Sequence, residues 1–184
     1  DRFHLGQRSI SNKGYYEAVT WSFTDQKIDD LTNDNKNPIF IINPISKELN
    51  VLRGSIFSNL LFYLKKNHDR GFQDIALFEI GPVFYGKKPG EQQTVIGAVK
   101  SGQINKKSWS EKTRNVDIFD VKTDIIKTLI EMGISEGNLI VTDKSKNCYH
   151  PGRSGSVNFK TSNGILLAQF GEIHPSIISK LDYK

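Results

Sequence analysis

Residues 74–102 hold two strand-length runs back to back, DIALFEIGPVFYG and QQTVIGAVKSG, separated only by KKPGE. Pro89 and Gly90 suit the two central positions of a type II turn, because proline fixes φ near −65° and glycine accepts the positive φ that follows. A link this short joins antiparallel neighbours; parallel strands need a crossover of a dozen or more residues. Further on, GSVNFKT and GILLAQFGEI repeat the arrangement across SNG, and NLIVTD adds another strand candidate. Gly81-Pro82 interrupts the first run and predicts a bulge, a bend or an edge position there.

Other segments fill in around this pattern. YYEAVTWSF, residues 15–23, alternates and is rich in β-branched and aromatic residues, which predicts one continuous strand. PIFIINP is a short apolar run between prolines and reads as a buried strand. Helices are expected over residues 1–13, ended by Gly14, and over TDQKIDDL with Thr24 as its cap. From Ser55 to His68, Ile56, Leu60, Leu61 and Leu64 follow amphipathic helical spacing. VDIFDVKTDIIKTLIEMG reads as a strand running into a helix that ends at Gly133, and TNDNKNP as a surface loop. Strands outnumber helices and short turns join them, so the expected fold class is α+β around a mostly antiparallel sheet. With 184 residues, 37 % of them hydrophobic, the chain is expected to form a single domain over 1–184.

Composition removes several kinds of chemistry. Cys148 is the only cysteine, so neither an intrachain disulfide nor a cysteine-based zinc site can form, and a reducing, cytoplasmic setting is expected. No apolar run approaches the ~18–20 residues of a membrane-crossing helix, and no membrane partner is expected. The first residue reads as a cut rather than a start. Neither a dinucleotide fingerprint, nor a P-loop, nor a Gly-x-Ser-x-Gly elbow occurs. The net charge of +5 and the lysine pairs Lys65-Lys66, Lys87-Lys88 and Lys106-Lys107 leave an RNA-binding module as one alternative; the commoner use of such pairs is a solvated surface.

The residues that most invite a chemical reading lie near the C-terminus. In CYHPGRSGSVNF and GEIHP, His150, Glu172 and His174 together could form a metal-dependent or hydrolytic site, with Cys148 as a further ligand or nucleophile. Against this, the histidines lack a short ligand spacing, and both His-Pro pairs have backbone explanations: a type II turn at Pro151-Gly152, and Pro175 at the first position of a helix with His174 at its entry. Arg153 is expected to pair with a carboxylate or a phosphate. Arg53 is a candidate anion contact, more often a salt-bridge partner, and Glu79 is expected to face water as strand alternation allows. Catalytic, cofactor-binding and metal residues are accordingly predicted as none.

In order, GYYEAVTWSF, NPISKELNVLRGSIFSNLL, DIALFEIGPVFYG, YHPGRSGSV and FGEIHPSII resemble the core of the beta subunit family of bacterial phenylalanyl-tRNA synthetases. The resemblance implies a class II aminoacyl-tRNA synthetase-like antiparallel sheet flanked by helices. It implies a subunit that joins a catalytic alpha subunit as two of each, in a cytoplasmic ligase that charges tRNA(Phe) using ATP and magnesium, with no DNA partner. The beta core of that family is a degenerate copy of the catalytic module, thought to scaffold the alpha subunit and help place tRNA. Active class II modules grip ATP with an arginine on a strand and a second at a glycine-rich helix start. ALFEIGPVF carries no arginine before its glutamate and Pro82 after its glycine, so neither cation is placed. The resemblance also implies a segment truncated at both ends, with the magnesium-binding cluster, editing module and anticodon-contacting domain mapping to no residue here. The segment alone is therefore predicted inactive.

Overall fold

The structure, a computed structural model, describes residues 1–33, 37–104, 109 and 112–182. Lys106, Lys107 and the centre of the TNDNKNP loop lie outside the described residues. Five helices among the described residues are α1 (Arg2–Ser11), α2 (Gln26–Thr32), α3 (Ile56–His68), α4 (Ile118–Glu131) and α5 (Pro175–Lys180). The strands are β1 (Tyr16–Glu17), β2 (Phe23–Thr24), β3 (Ile39–Phe40), β4 (Val51–Leu52), β5 (Ile75–Phe84), β6 (Gln92–Ser101), β7 (Leu139–Thr142), β8 (Tyr149–Phe159) and β9 (Ile165–Ile173). The chain divides into two compact units, Tyr15–Lys100 and a second made of Asp1–Gly14 with Ser101–Lys184.

In the unit Tyr15–Lys100, α3 follows its sequence. Ser55 caps it by accepting from the Phe57 N–H at 3.2 Å, and Ile56, Leu60, Leu61 and Leu64 are buried on the face that packs against β5. Burying side chains of this kind contributes roughly 1.5–3 kcal/mol each. The hairpin after β5 closes as expected: the Lys88 carbonyl accepts from the Glu91 N–H at 3.1 Å and Gly90 has φ +88. Two three-stranded sheets result, ordered β1-β5-β6 and β2-β4-β3. β1 runs parallel to β5 and reaches only Leu77 and Phe78, so it does not run beside Pro82 on this edge of β5.

Four expectations change here. YYEAVTWSF is not one strand; β1 and β2 join different sheets and residues 18–22 between them are irregular. The alternation is real, but side-chain and backbone groups at Thr20, Trp21 and Ser22 are taken by Asn59 and Arg53 instead of by a ladder. Helix α2 is capped by Asp25, one residue later than Thr24, through the Lys27 N–H at 2.8 Å. PIFIINP supplies only β3 and is not buried, since Phe40 is 57 % and Ile42 101 % exposed. Glu79 does not face water; it is 4 % exposed, for a reason given below.

In the other unit, α1 packs on α4, and β7-β8-β9 form an antiparallel sheet with Val157 and Phe170 buried. Gly14, with φ +84, follows α1 as expected. The strand expected before α4 does not form: Asp117 caps the helix in a reciprocal capping box with Asp120, and only an isolated bridge joins Gln103 to Asn115. Pro151-Gly152 is not a turn either. Both residues lie within β8, Gly152 is not among the positive-φ glycines, and the excess length is taken up by an irregular register between Tyr149 and Ser154. Pro175 does occupy the first turn of α5, with His174 as its cap.

Candidate functional site

The most heavily built polar constellation sits around Arg53, just after β4. Its side chain is 1 % exposed, and two of its three guanidinium nitrogens are hydrogen-bonded to groups the structure describes. Nη1 donates to Glu79 Oε1 at 2.6 Å and to Thr20 Oγ1 at 3.0 Å, and Nε donates to the Pro82 carbonyl at 2.9 Å. Thr20 in turn donates to Glu79 Oε2 at 2.6 Å and accepts from Asn59 Nδ2 at 2.9 Å. Asn59 Nδ2 also donates to the Trp21 carbonyl at 2.6 Å, which leaves its buried Oδ1 without a partner among the described residues. A guanidinium and a carboxylate taken together out of water are tolerable because both carboxylate oxygens and the guanidinium are hydrogen-bonded.

Gly81 is required at its position by this guanidinium. A Cβ there would stand 2.3 Å from Arg53 Nη2, a side-chain end that the ion pair does not leave free to move. A second buried carboxylate lies close in sequence: Asp29, 2 % exposed, accepts from the Gly54 N–H at 3.1 Å, Ser58 Oγ at 2.8 Å and Asn33 Nδ2 at 2.9 Å. Asp29 stands fourth in α2, and nothing local in the sequence marks it as buried.

His150, Glu172 and His174 are each engaged locally. The Gly152 N–H donates to His150 Nδ1 at 3.1 Å, the Ser176 N–H donates to His174 Nδ1 at 3.2 Å, and Arg153 Nε pairs with Glu172 Oε2 at 2.8 Å. Arg153 thus meets a carboxylate. Among the described residues no three histidine, cysteine or acidic side chains form a metal-holding group. Beside these residues, burial raises the Tyr149 phenol far above its usual range, so it remains a neutral hydroxyl. Of the lysine pairs, Lys65 bonds Asp69 at 2.8 Å within α3 and its C-cap.

Apolar side chains stand in solvent on two stretches of the Tyr15–Lys100 unit. Tyr16 is 76 %, Val19 91 % and Trp21 59 % exposed, and Ile42 and Ile45 follow on the loop after β3. Sequence patterning had placed the first stretch in a strand, where one face would be covered.

The family described as "Phenylalanyl tRNA synthetase beta chain CLM domain" matches residues 4–184. The chain belongs to that family. It is similar to the phenylalanine–tRNA ligase beta subunit of Rhodospirillum rubrum, 35 % identical over 97 % of this chain and 22 % of that protein. It is also similar to that of Cereibacter sphaeroides, 37 % identical over 100 % of this chain and 22 % of that protein. The chain therefore spans about a fifth of the length of the curated relatives it matches. Among solved structures, Desulfitobacterium hafniense PylSc, a pyrrolysyl tRNA synthetase, superposes with a TM-score of 0.71 at 16 % identity, covering 98 % of this chain and 58 % of that one. A second pyrrolysyl-tRNA synthetase structure from the same organism gives 0.67 at 15 % identity, over 98 % of this chain and 61 % of that one. At such identities the likeness is one of fold: the α+β class II synthetase-like architecture. No helix among the described residues is long and apolar enough to cross a membrane.

Proposed function

We propose that residues 1–184 act as one non-catalytic module of a phenylalanine–tRNA ligase beta subunit. The module pairs with the catalytic alpha subunit, in an assembly of two of each in the cytoplasm, and helps place tRNA(Phe). ATP and magnesium are used by the holoenzyme.

The observation that carries the reading is the state of Arg53. It is the arginine that is buried among the described residues, and Glu79, Thr20 and the Pro82 carbonyl occupy it. Adenylyl chemistry needs preorganised cations aimed at the charge developing on phosphate, each worth several kcal/mol of barrier. A guanidinium already paired with a carboxylate inside the protein offers no such charge. The exposed Tyr16, Val19 and Trp21 support the pairing role, because large apolar side chains left in solvent within six residues suit a contact face.

The test is gel filtration of the protein with purified alpha subunit at micromolar concentration, alongside ATP–pyrophosphate exchange with phenylalanine. Co-elution is expected, weakened at least tenfold by Val19→Asp with Trp21→Asp, and no exchange is expected without the alpha subunit. Absence of co-elution overturns the pairing, and exchange by the beta chain alone overturns the non-catalytic assignment.

A further inference from the structure

Where β7 gives way to β8, the chain leaves an open concavity of about 540 Å³ that no part of the reading above uses. That volume falls within the range of small-ligand sites. Lys144 and Lys146 stand on its rim, both exposed, and neither ammonium has an ion-pair partner among the described residues. Asn147 adds an amide. His174 also lines it, and its ring state follows from its role as a cap. Nδ1 accepts from the Ser176 N–H, so the neutral imidazole carries its proton on Nε2 and is a donor there.

The loop that presents these groups is tied down. Ser145 Oγ bonds Ser154 Oγ at 2.6 Å, the Tyr149 N–H donates to the Lys146 carbonyl at 3.1 Å, and the His174 N–H donates to the Cys148 carbonyl at 2.9 Å. Donors held around a concavity select an oxygen-rich anion. The rim holds one acid, Asp143, which also has no partner among the described residues. Two lysines against one carboxylate leave a net positive rim. A carboxylate beside an anion site is out of place for inorganic phosphate, yet it meets a ligand that carries a hydroxyl donor next to its phosphate. A ribonucleotide has that arrangement, with its 2′-OH adjacent to the phosphodiester.

We infer that the concavity between Asp143 and His174 binds a ribonucleotide unit, with Lys144 and Lys146 on the phosphate and Asp143 on the ribose hydroxyl. The choice of a ribonucleotide within an RNA chain as the natural source rests on the reading of the chain as part of a tRNA ligase; the chemistry of the site does not.

The experiment titrates the intact protein, bound to its alpha subunit, with a fluorescent single-stranded RNA 12-mer across a salt series. Removing the contact to that one phosphate lowers the slope of log K against log salt by about 0.7, the value per neutralised phosphate on single strands. Lys144→Ala with Lys146→Ala is expected to show that loss and about tenfold weaker binding at low salt, while Lys144→Arg with Lys146→Arg keeps the slope. Asp143→Asn is expected to reduce the preference for RNA over DNA of the same sequence. Adenosine 3′-monophosphate that displaces the RNA at millimolar concentration marks a pocket open to free nucleotide; the same compound without effect, beside a reduced slope, marks the RNA backbone as the source. Unchanged slope and affinity in the double alanine variant overturn the site. Co-elution with the alpha subunit, measured on the same preparations, separates the two ideas: it survives if only the site is wrong and is absent from the unsubstituted protein if the ligase reading is wrong.

Discussion

Replacing Glu79 by alanine removes the carboxylate from a guanidinium that is 1 % exposed and 2.6 Å away. The Arg53 side chain keeps the Pro82 carbonyl and Thr20 Oγ1, both neutral, and Thr20 loses the acceptor for its own proton. An uncompensated charge left in this position costs about 3–5 kcal/mol. That is a large part of the ~5–15 kcal/mol that holds an ordinary domain together. For a chain of this length each kcal/mol moves the melting midpoint by roughly 2–4 °C, so a fall on the order of 10 °C is expected. Arg53→Met alone should cost a similar amount, because it strands the carboxylate. Combining Arg53→Met with Glu79→Leu removes both charges, and the pair should recover most of the loss, since apolar replacement of a buried pair is often neutral. Urea unfolding of the parent, Arg53→Met, Glu79→Leu and the double variant gives the cycle directly. Single variants within about 1 kcal/mol of the parent would refute the argument that this pair is closed to water.

Two further perturbations probe other parts of the fold. Glu131 accepts from Lys13 Nζ at 2.8 Å and from Ser9 Oγ, which hold its carboxyl below the usual value, with the Lys13 hydrogen bond the larger cause. A depressed carboxyl stabilises the folded state above the unfolded-state value, near 4.3, and loses that contribution as pH falls through the folded value. The difference in melting temperature between the parent and Glu131→Gln should therefore be constant at neutral pH and shrink on acidification below about pH 4; a difference that does not change with pH would contradict the assignment. Gly155→Ala places a Cβ 2.7 Å from the Thr142 carbonyl and 3.0 Å from the Phe170 ring, so β7 must shift. Overpacking of this kind costs about 1–3 kcal/mol, readable as a lowered urea midpoint with m unchanged.

Features decided within a few residues were legible in the sequence. Ser55 before an apolar stripe gave α3, Pro89-Gly90 gave the β5–β6 turn, and Pro175 gave the start of α5. What failed to show was set at long range. Glu79 looked solvated because its partner lies 26 residues earlier in the chain, and YYEAVTWSF looked like one strand because the groups that break it, on Asn59 and Arg53, belong to other elements. Pro151-Gly152 has the composition of a turn, and only pairing with β9 makes it strand. The concavity at Lys144 and Lys146 carried no motif at all; two lysines one residue apart become a rim only once His174 is brought across from another element.

That irregular stretch of β8 also determines where the hairpin can change length. Between the pair Tyr149↔Ile173 and the pair Ser154↔Gly171, one strand runs through four residues, 150–153, while its neighbour supplies Glu172 alone. Slack of this sort can absorb an added or deleted residue without disturbing what lies on either side. From Gly155 to Val157 there is none: pairing is one to one, and shifting it by a single position would turn the fully buried Val157 to the opposite face of the sheet.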